Sequence, residues 1–315
     1  MAAHHGERMI EGNGIDICTD SFGDPADPCI LLVMGASASM LLWEVDFCQR
    51  LADGGRFVIR YDNRDTGKTT SCPPGEPNYT IDDMAADGVA VLDAYGIDKA
   101  HIAGASMGGM ITQLIGLNHP DRVLTLTPIM STPNANAVLD AMEGAGGGAT
   151  LSPPAPEVLA AIASSAELDW SDRDAVLANR VEMFNVLAGS GYPGGGIPAD
   201  VFAEEIDRAI SFPSTLNHGP AIAQSNRWHD RLDQLDFPTL VIHGDEDPIL
   251  PYDHGQALHA AIADQPYSRS KVSATKSPEA PGTRSSPPSS STRAERALQQ
   301  RRLGVRAWQP ITASE

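Results

Sequence analysis

Five short apolar runs separated by helical stretches restrict this chain to an α/β architecture. The runs are Cys29–Met34, Phe57–Tyr61, Ala100–Gly104, Val123–Met130 and Thr239–Gly244. They are too short for buried helices and too continuously apolar for strands with one wet face, so they read as parallel strands covered on both sides. Between them, Leu41–Ala52, Ile81–Tyr95 and Met107–Asn118 carry apolar residues at helical spacing. Strand and helix in alternation predict a doubly wound, mostly parallel sheet.

The alternation stops from about 134 to 220. There, helical stretches at Glu157–Ala166, Arg173–Leu187 and Ala199–Ile210 are separated by glycine joints, Gly144–Gly148 and Gly189–Gly196. The expected organisation is a core of residues 1–133 and 221–264, with 134–220 forming a helical cap over the sheet. A separate helical domain is the alternative. No internal repeat is found.

Charge divides the chain at about residue 265. Residues 265–315 hold nine basic and three acidic residues, a charge of +6, which with the total of -19 leaves -25 on residues 1–264. A surface that acidic repels polyanions, so nucleic-acid binding is not expected. The stretch SRSKVSATKSPEAPGTRSSPPSSSTRAER offers almost nothing apolar to bury, and the tail is expected to be disordered. A solvated linker is the ordinary reading of such a run; binding DNA or membrane through it is the alternative. The four cysteines, Cys18, Cys29, Cys48 and Cys72, lack the short paired spacing of a zinc site and the density of a disulfide scaffold. No run reaches the ~18 apolar residues of a membrane span, and the start MAAHHGERMIEGNG lacks a signal-peptide layout. A cytoplasmic protein without membrane partners is expected.

The chemistry is announced by Gly104-Ala105-Ser106-Met107-Gly108-Gly109, a G-x-S-x-G sequence with a strand before it and a helix after it. Small residues allow the sharp turn that lifts Ser106 clear of the sheet at a helix N-terminus, with the Met107 N–H placed to meet an oxyanion. A tight glycine turn carrying an incidental serine is the plainer alternative.

With these motifs in order, the chain from about residue 15 to 264 resembles the α/β-hydrolases. In particular, SFGDPADPCILLVMG, FVIRYDNRDTGKTT and DMAADGVAVLDAYGIDKAHIAGASMGGMITQLIGLNHPDRV are similar to the capped bacterial serine esterases typified by aclacinomycin methylesterase. The resemblance implies hydrolysis of a small, moderately hydrophobic ester without metal or organic cofactor. It implies Ser106 as nucleophile and the backbone of Ala36, in MGASAS, as second oxyanion donor beside Met107. Met34-Gly35 stands where the family commonly has His-Gly, which a backbone donor tolerates. Asp62-Asn63-Arg64-Asp65-Thr66-Gly67 matches the family's D-x-R-x-x-G turn, expected to brace the neighbouring loop. In HGDEDP, Asp247 has the spacing of the triad acid, with Asp245 and Glu246 as alternatives. Peroxidases and carbon–carbon bond hydrolases share the same triad.

A serine hydroxyl needs a base, and the resemblance places a histidine roughly 25 to 35 residues after the acid. None occurs there. His254 and His259 fall on the helix after the acid and are expected to face away from Ser106; His243 precedes the acid, His101 leads into the serine turn and His119 closes its helix. His218 and His229 lie where the cap rejoins the core, and His4 and His5 are terminal. Codons permitted for residues 265–282, read from their third base, spell Ala-Leu-Leu-Glu-Val-Glu-Gly-Val-Gly-His-Glu-Ile-Pro-Arg-Ser-Thr-Trp, a strand followed by the family's Gly-x-Gly-His loop. The tail thus reads as a frame-shifted ending, and a catalytically inactive hydrolase fold that only binds a small molecule is the rival reading.

Overall fold

A computed structural model describes residues 1–133, 151–188, 197–262 and the strand at 267–270. These residues fall in one compact unit, Met1–Ser277. Its eight strands are β1 (His4–Gly12), β2 (Ile15–Phe22), β3 (Cys29–Val33), β4 (Phe57–Tyr61), β5 (Ala100–Ala105), β6 (Val123–Ile129), β7 (Val241–Gly244) and β8 (Tyr267–Ser270). They form a single sheet in the order β1-β2-β4-β3-β5-β6-β7-β8. All neighbours from β4 to β8 are parallel, while β2 runs antiparallel to both β1 and β4.

The helices are α1 (Val45–Asp53), α2 (Ile81–Ala94), α3 (Met107–Asn118), α4 (Pro156–Ala166), α5 (Arg173–Leu187), α6 (Ala199–Arg208), α7 (His218–Gln224) and α8 (Tyr252–Ala261). Every residue of β3 and β4 is buried, as continuous apolar runs in the middle of a two-sided sheet require. Helix α3 is buried from Met107 to Gly116, so it has no polar stripe to show in its sequence. Helix α2 begins with Thr80, whose N–H donates to the Asp83 carboxylate at 2.8 Å, a reciprocal cap that sets its first turn. The expected α/β order is therefore present, and α4, α5 and α6 lie between β6 and β7 in the chain.

Three expectations need correction. Leu41–Ala52 is not one helix: a 3-10 turn at Met40–Leu42 precedes α1. The N-terminal residues, read only as terminal, pair as the hairpin β1–β2, with His4 Nε2 2.9 Å from Asp20 Oδ1 and its ring stacked on Phe22. β1, HHGERMIEG, is mostly polar and buries Ile10 alone, so it offers no apolar run to read. The third correction concerns the sheet edge. The tail from residue 265 was expected to be disordered; its Tyr267–Ser270 instead forms β8, which pairs in parallel with β7, Val241 opposite Tyr267 and Gly244 opposite Ser270. A terminal strand is held by backbone hydrogen bonds, which leave no mark in hydropathy. Apart from β8, the expected tail lies outside the described residues, as do both glycine joints.

Cys18, Cys29 and Cys48 are free and buried, and burial pushes their thiols up to about 12. They serve as small apolar side chains. No described helix is long and apolar enough to cross a membrane.

One ion pair ties the D-N-R-D-T-G turn to α2. Arg64 grips Asp87 with two bonds of 2.7 and 2.6 Å, and Asn13 Nδ2 donates to the same carboxylate at 2.7 Å. Arg64→Met strands the buried Asp87 charge and is expected to cost about 3–5 kcal/mol. Urea unfolding at pH 7 checks this, and Arg64→Met combined with Asp87→Leu should recover much of the loss.

Candidate active site

The C-terminal ends of β3, β5, β6 and β7 open on the same end of the parallel sheet, the usual position for chemistry in such folds. Ser106 sits between β5 and α3 with φ 54° and ψ -118°, a left-handed conformation that costs of order 1–3 kcal/mol for a residue with a Cβ. Backbone bonds enforce it. The Ser106 N–H donates to Ile129 C=O at 2.9 Å, and its carbonyl accepts from Gly109 N at 2.8 Å, Met110 N at 3.2 Å and Ser131 Oγ at 2.9 Å. The flanking glycines are needed for space: a Cβ on Gly108 would lie 2.2 Å from Val33 O, and one on Gly104 would lie 2.2 Å from Gly108 O. The side chain of Ser106 stays half-buried at the rim.

The loop after β3 passes directly above this turn. A Cβ on Gly35 would stand 3.2 Å from Ser106 Cβ and 3.1 Å from Ala105 O. Beyond it, Ala36 is exposed and Ser37 has φ 56°. Asn63 Nδ2 holds Met34 C=O at 2.8 Å, Ser37 N–H donates to His218 Nδ1 at 2.8 Å, and Ser37 Oγ donates to Thr215 C=O at 2.8 Å. Ala36 N–H has no acceptor among the described residues. Met107 N–H, at the first position of α3, has no carbonyl a turn behind it to accept its proton. Two uncommitted N–H groups thus flank the serine, and the helix N-terminus adds its positive end.

Of the three acids after β7, Asp247 is buried, Asp245 is half-buried and Glu246 is exposed. Asp247 Oδ1 accepts from Ile249 N at 3.0 Å and Leu250 N at 2.9 Å. Its Oδ2 is fully enclosed and has no hydrogen-bond partner among the described residues. Burial therefore dominates the two backbone bonds and raises the carboxyl to about 7.

No histidine joins Ser106 to Asp247. The one nearest the acid, His243, has Nε2 3.7 Å from Asp247 Oδ2, but that nitrogen lies 2.7 Å from Leu250 C=O. His254, expected to face away from the serine, is buried, its nitrogens 2.9 Å from Thr132 Oγ1 and 2.9 Å from Ser152 C=O. His259 lies farther along the same helix, α8. His218 is fully buried and held at both nitrogens, the second 2.8 Å from Arg64 C=O. His229 bonds Asp230, His101 bonds Thr125, His5 bonds Gly23 and His119 follows α3. Among the described residues no group of three His, Cys, Asp or Glu side chains is disposed to hold a metal ion.

The residues expected from the sequence, Ser106, Met107, Ala36 and Asp247, lie just beyond the C-terminal ends of β5, β3 and β7, with Met107 opening α3. Nothing in the sequence marks Ser131 beneath the serine turn, and His218 is named there only among the candidate bases, not as a contact of the loop after β3; neither stands in a motif, and only chain crossings bring them there.

A parallel sheet with this strand order, a strained serine between strand and helix, and a buried acid after β7 define an α/β-hydrolase. The family model for the α/β-hydrolase fold matches residues 28–273, and the chain belongs to that family. Rhodomycin D methylesterase of Streptomyces peucetius is 32% identical over 260 residues, 80% of this chain and 86% of that protein. Among solved structures, an esterase from Exiguobacterium antarcticum superposes with a TM-score of 0.65 at 23% identity, covering 84% of this chain and 90% of the other. The 2-hydroxy-6-oxo-6-phenylhexa-2,4-dienoate hydrolase of Rhodococcus sp. strain RHA1 gives a TM-score of 0.65 at 18% identity over 85% and 91%. These two likenesses concern the fold alone.

The raised Asp247 carboxyl carries a stability consequence. The folded chain keeps a proton up to about pH 7 that the unfolded chain releases near pH ~4, so stability falls as pH rises through that window, by roughly 4 kcal/mol in all. Asp247→Asn removes the titrating group. Urea unfolding should find the variant similar to the parent at low pH and clearly more stable at pH 7; equal slopes with pH contradict this.

Proposed function

We propose that this hydrolase is a serine esterase acting on small, moderately hydrophobic carboxylic esters. Ser106 Oγ attacks the ester carbonyl, the N–H groups of Ala36 and Met107 receive the oxyanion, and Asp247 is the acid that would orient a base. The observation that carries this reading is Ser106 held at φ 54° beneath a loop whose Ala36 N–H is uncommitted. A donor fixed where negative charge develops contributes more than any ground-state contact, because it needs no reorganisation as the bond forms. The methylester-cleaving relative supports an ester as substrate. The helices between β6 and β7 act as the cap that selects it. The partner is a small molecule in the cytoplasm; a charge of -25 on residues 1–264 disfavours nucleic acid.

The proton of Ser106 has no acceptor histidine, and the loss of a triad member costs ~10⁴ to 10⁶ in rate. Low activity is therefore expected of this chain. A missing base explains the unpartnered Asp247 Oδ2. The same observation favours one rival, an inactive fold that retains ligand binding. The two separate in a p-nitrophenyl ester assay with added imidazole, a diffusible substitute for the missing side chain. Turnover that rises with imidazole and vanishes in Ser106→Ala supports the esterase, as does fluorophosphonate labelling lost in the same variant. Labelling that survives Ser106→Ala shows a different nucleophile.

The frame-shift reading is tested by restoring the frame. β8 occupies Tyr267–Ser270, the positions where the alternative frame spells Leu-Glu-Val-Glu, and its histidine codon follows four positions later. A chain with that frame restored should gain at least ~10³-fold in esterase rate over the present one, consistent with a completed triad. A restored chain no faster than the present one, or sequencing that confirms the present frame through codons 262–283 in an active gene product, refutes the frame-shift.

A further inference from the structure

The loop after β3 is fixed on both sides of the one peptide that matters for oxyanion binding. Ala36 N–H belongs to the Gly35–Ala36 peptide. The preceding peptide is held through Met34 C=O by Asn63 Nδ2 at 2.8 Å, and the following one through Ser37 N–H by His218 Nδ1 at 2.8 Å. Both ends being pinned, the middle plane has little freedom to rotate. Ser37 at φ 56° would otherwise relax toward ordinary backbone.

His218 is itself fixed. A backbone N–H pointing at Nδ1 requires that nitrogen to be unprotonated, so Nε2 carries the hydrogen and donates it to Arg64 C=O at 2.8 Å. The ring is fully buried, and burial lowers its basicity, against the opposing influence of Asp65 and the Arg64 bond. A ring that stays neutral and has both nitrogens occupied cannot serve as the missing proton acceptor. The two pins also share an origin, since Asn63 and Arg64 are neighbours in the D-N-R-D-T-G turn.

We propose that His218 is a positioning residue for the oxyanion hole, its Nδ1 orienting the Ala36–Ser37 peptide so that Ala36 N–H faces the ester oxygen. This rests on the reading of Ser106 and Ala36 as parts of an esterase. Because His218 opens α7, directly after the 3-10 turn Phe212–Asn217 where the inserted helices return to the core, it links that return to the hole. Ser37 Oγ on Thr215 C=O reinforces the same link.

The test uses the full chain and two substitutions that separate the ring's nitrogens. His218→Asn places an amide oxygen near the Nδ1 position and keeps an acceptor for Ser37 N–H; His218→Gln reaches toward the Nε2 position and keeps only the donor to Arg64 C=O. With imidazole present and a p-nitrophenyl ester as substrate, His218→Gln should lose about tenfold in kcat with KM little changed, the effect of one misplaced hydrogen bond. His218→Asn should retain most of kcat. A role confined to packing predicts equal losses, and equal losses, or a change in KM alone, overturn the proposal. Hydrogen exchange gives a readout independent of turnover: the segment 34–40 should exchange faster in His218→Gln than in His218→Asn. In the unsubstituted chain the Ser37 amide should be protected, and exchange at the unprotected rate overturns the proposal without any variant. Absence of Ser106-dependent turnover in the parent chain refutes the esterase reading instead, and with it the catalytic half of the proposal.

Discussion

The contact between the first turn of α3 and the end of β3 governs the site. With hydrogen alone on Gly108 Cα, the helix approaches Val33 C=O more closely than any side chain permits. That approach sets where α3 begins, and therefore where Ser106 must turn. The strain at Ser106 is held by four backbone and side-chain bonds to its own N–H and C=O. It is strain stored in a rigid frame, which is the condition for a preorganised site. Gln113 extends the frame by bonding Gly109 and Thr132 carbonyls at 3.0 Å each, and Trp228 Nε1 donates to its Oε1 at 2.9 Å.

The inserted helices are fastened to the core by charge rather than by apolar packing alone. Arg208 of α6 lies 2.7 Å from Asp62 and 2.5 Å from Glu7, and Ile210 N–H donates to Gly67 C=O at 2.8 Å. Glu205 of the same helix accepts from Ser39 N at 2.6 Å and from Arg180 of α5 at 2.9 Å. Buried pairs of this kind add little net stability, but they tolerate only one geometry. They therefore fix α5 and α6 against the loops that flank Ser106. Asp62 also accepts from Met40 N and Lys68 N at 3.0 Å each, so the D-N-R-D-T-G turn joins α6, the loop after β3 and the core. Its bracing role reaches farther than a single loop.

Asp247 shows what enclosure does to a carboxyl that is satisfied at one oxygen only. Two backbone N–H groups support one oxygen, the other is enclosed and unpaired, and burial then favours the neutral acid. A cationic imidazolium at that oxygen would reverse the balance, because a nearby opposite charge stabilises the carboxylate.

Much was legible in the sequence because it depended on local pattern. Continuous apolar runs specify two-sided strands, helical spacing specified α2 and α3 nearly to their ends, and G-x-S-x-G between strand and helix admits few backbone paths. Asp247 was singled out by resemblance to a family motif, over Asp245 and Glu246, and its burial could not be read from the sequence. The edge strands β1 and β8 escaped, since a strand at a sheet margin needs only hydrogen bonds to one neighbour and can be built from polar residues. The contacts of Ser131 and His218 were decided by tertiary structure alone. Ser131 is 25 residues from Ser106 and His218 is 181 from Ser37, and no periodicity relates positions that meet only when parallel strands and a returning chain align their ends.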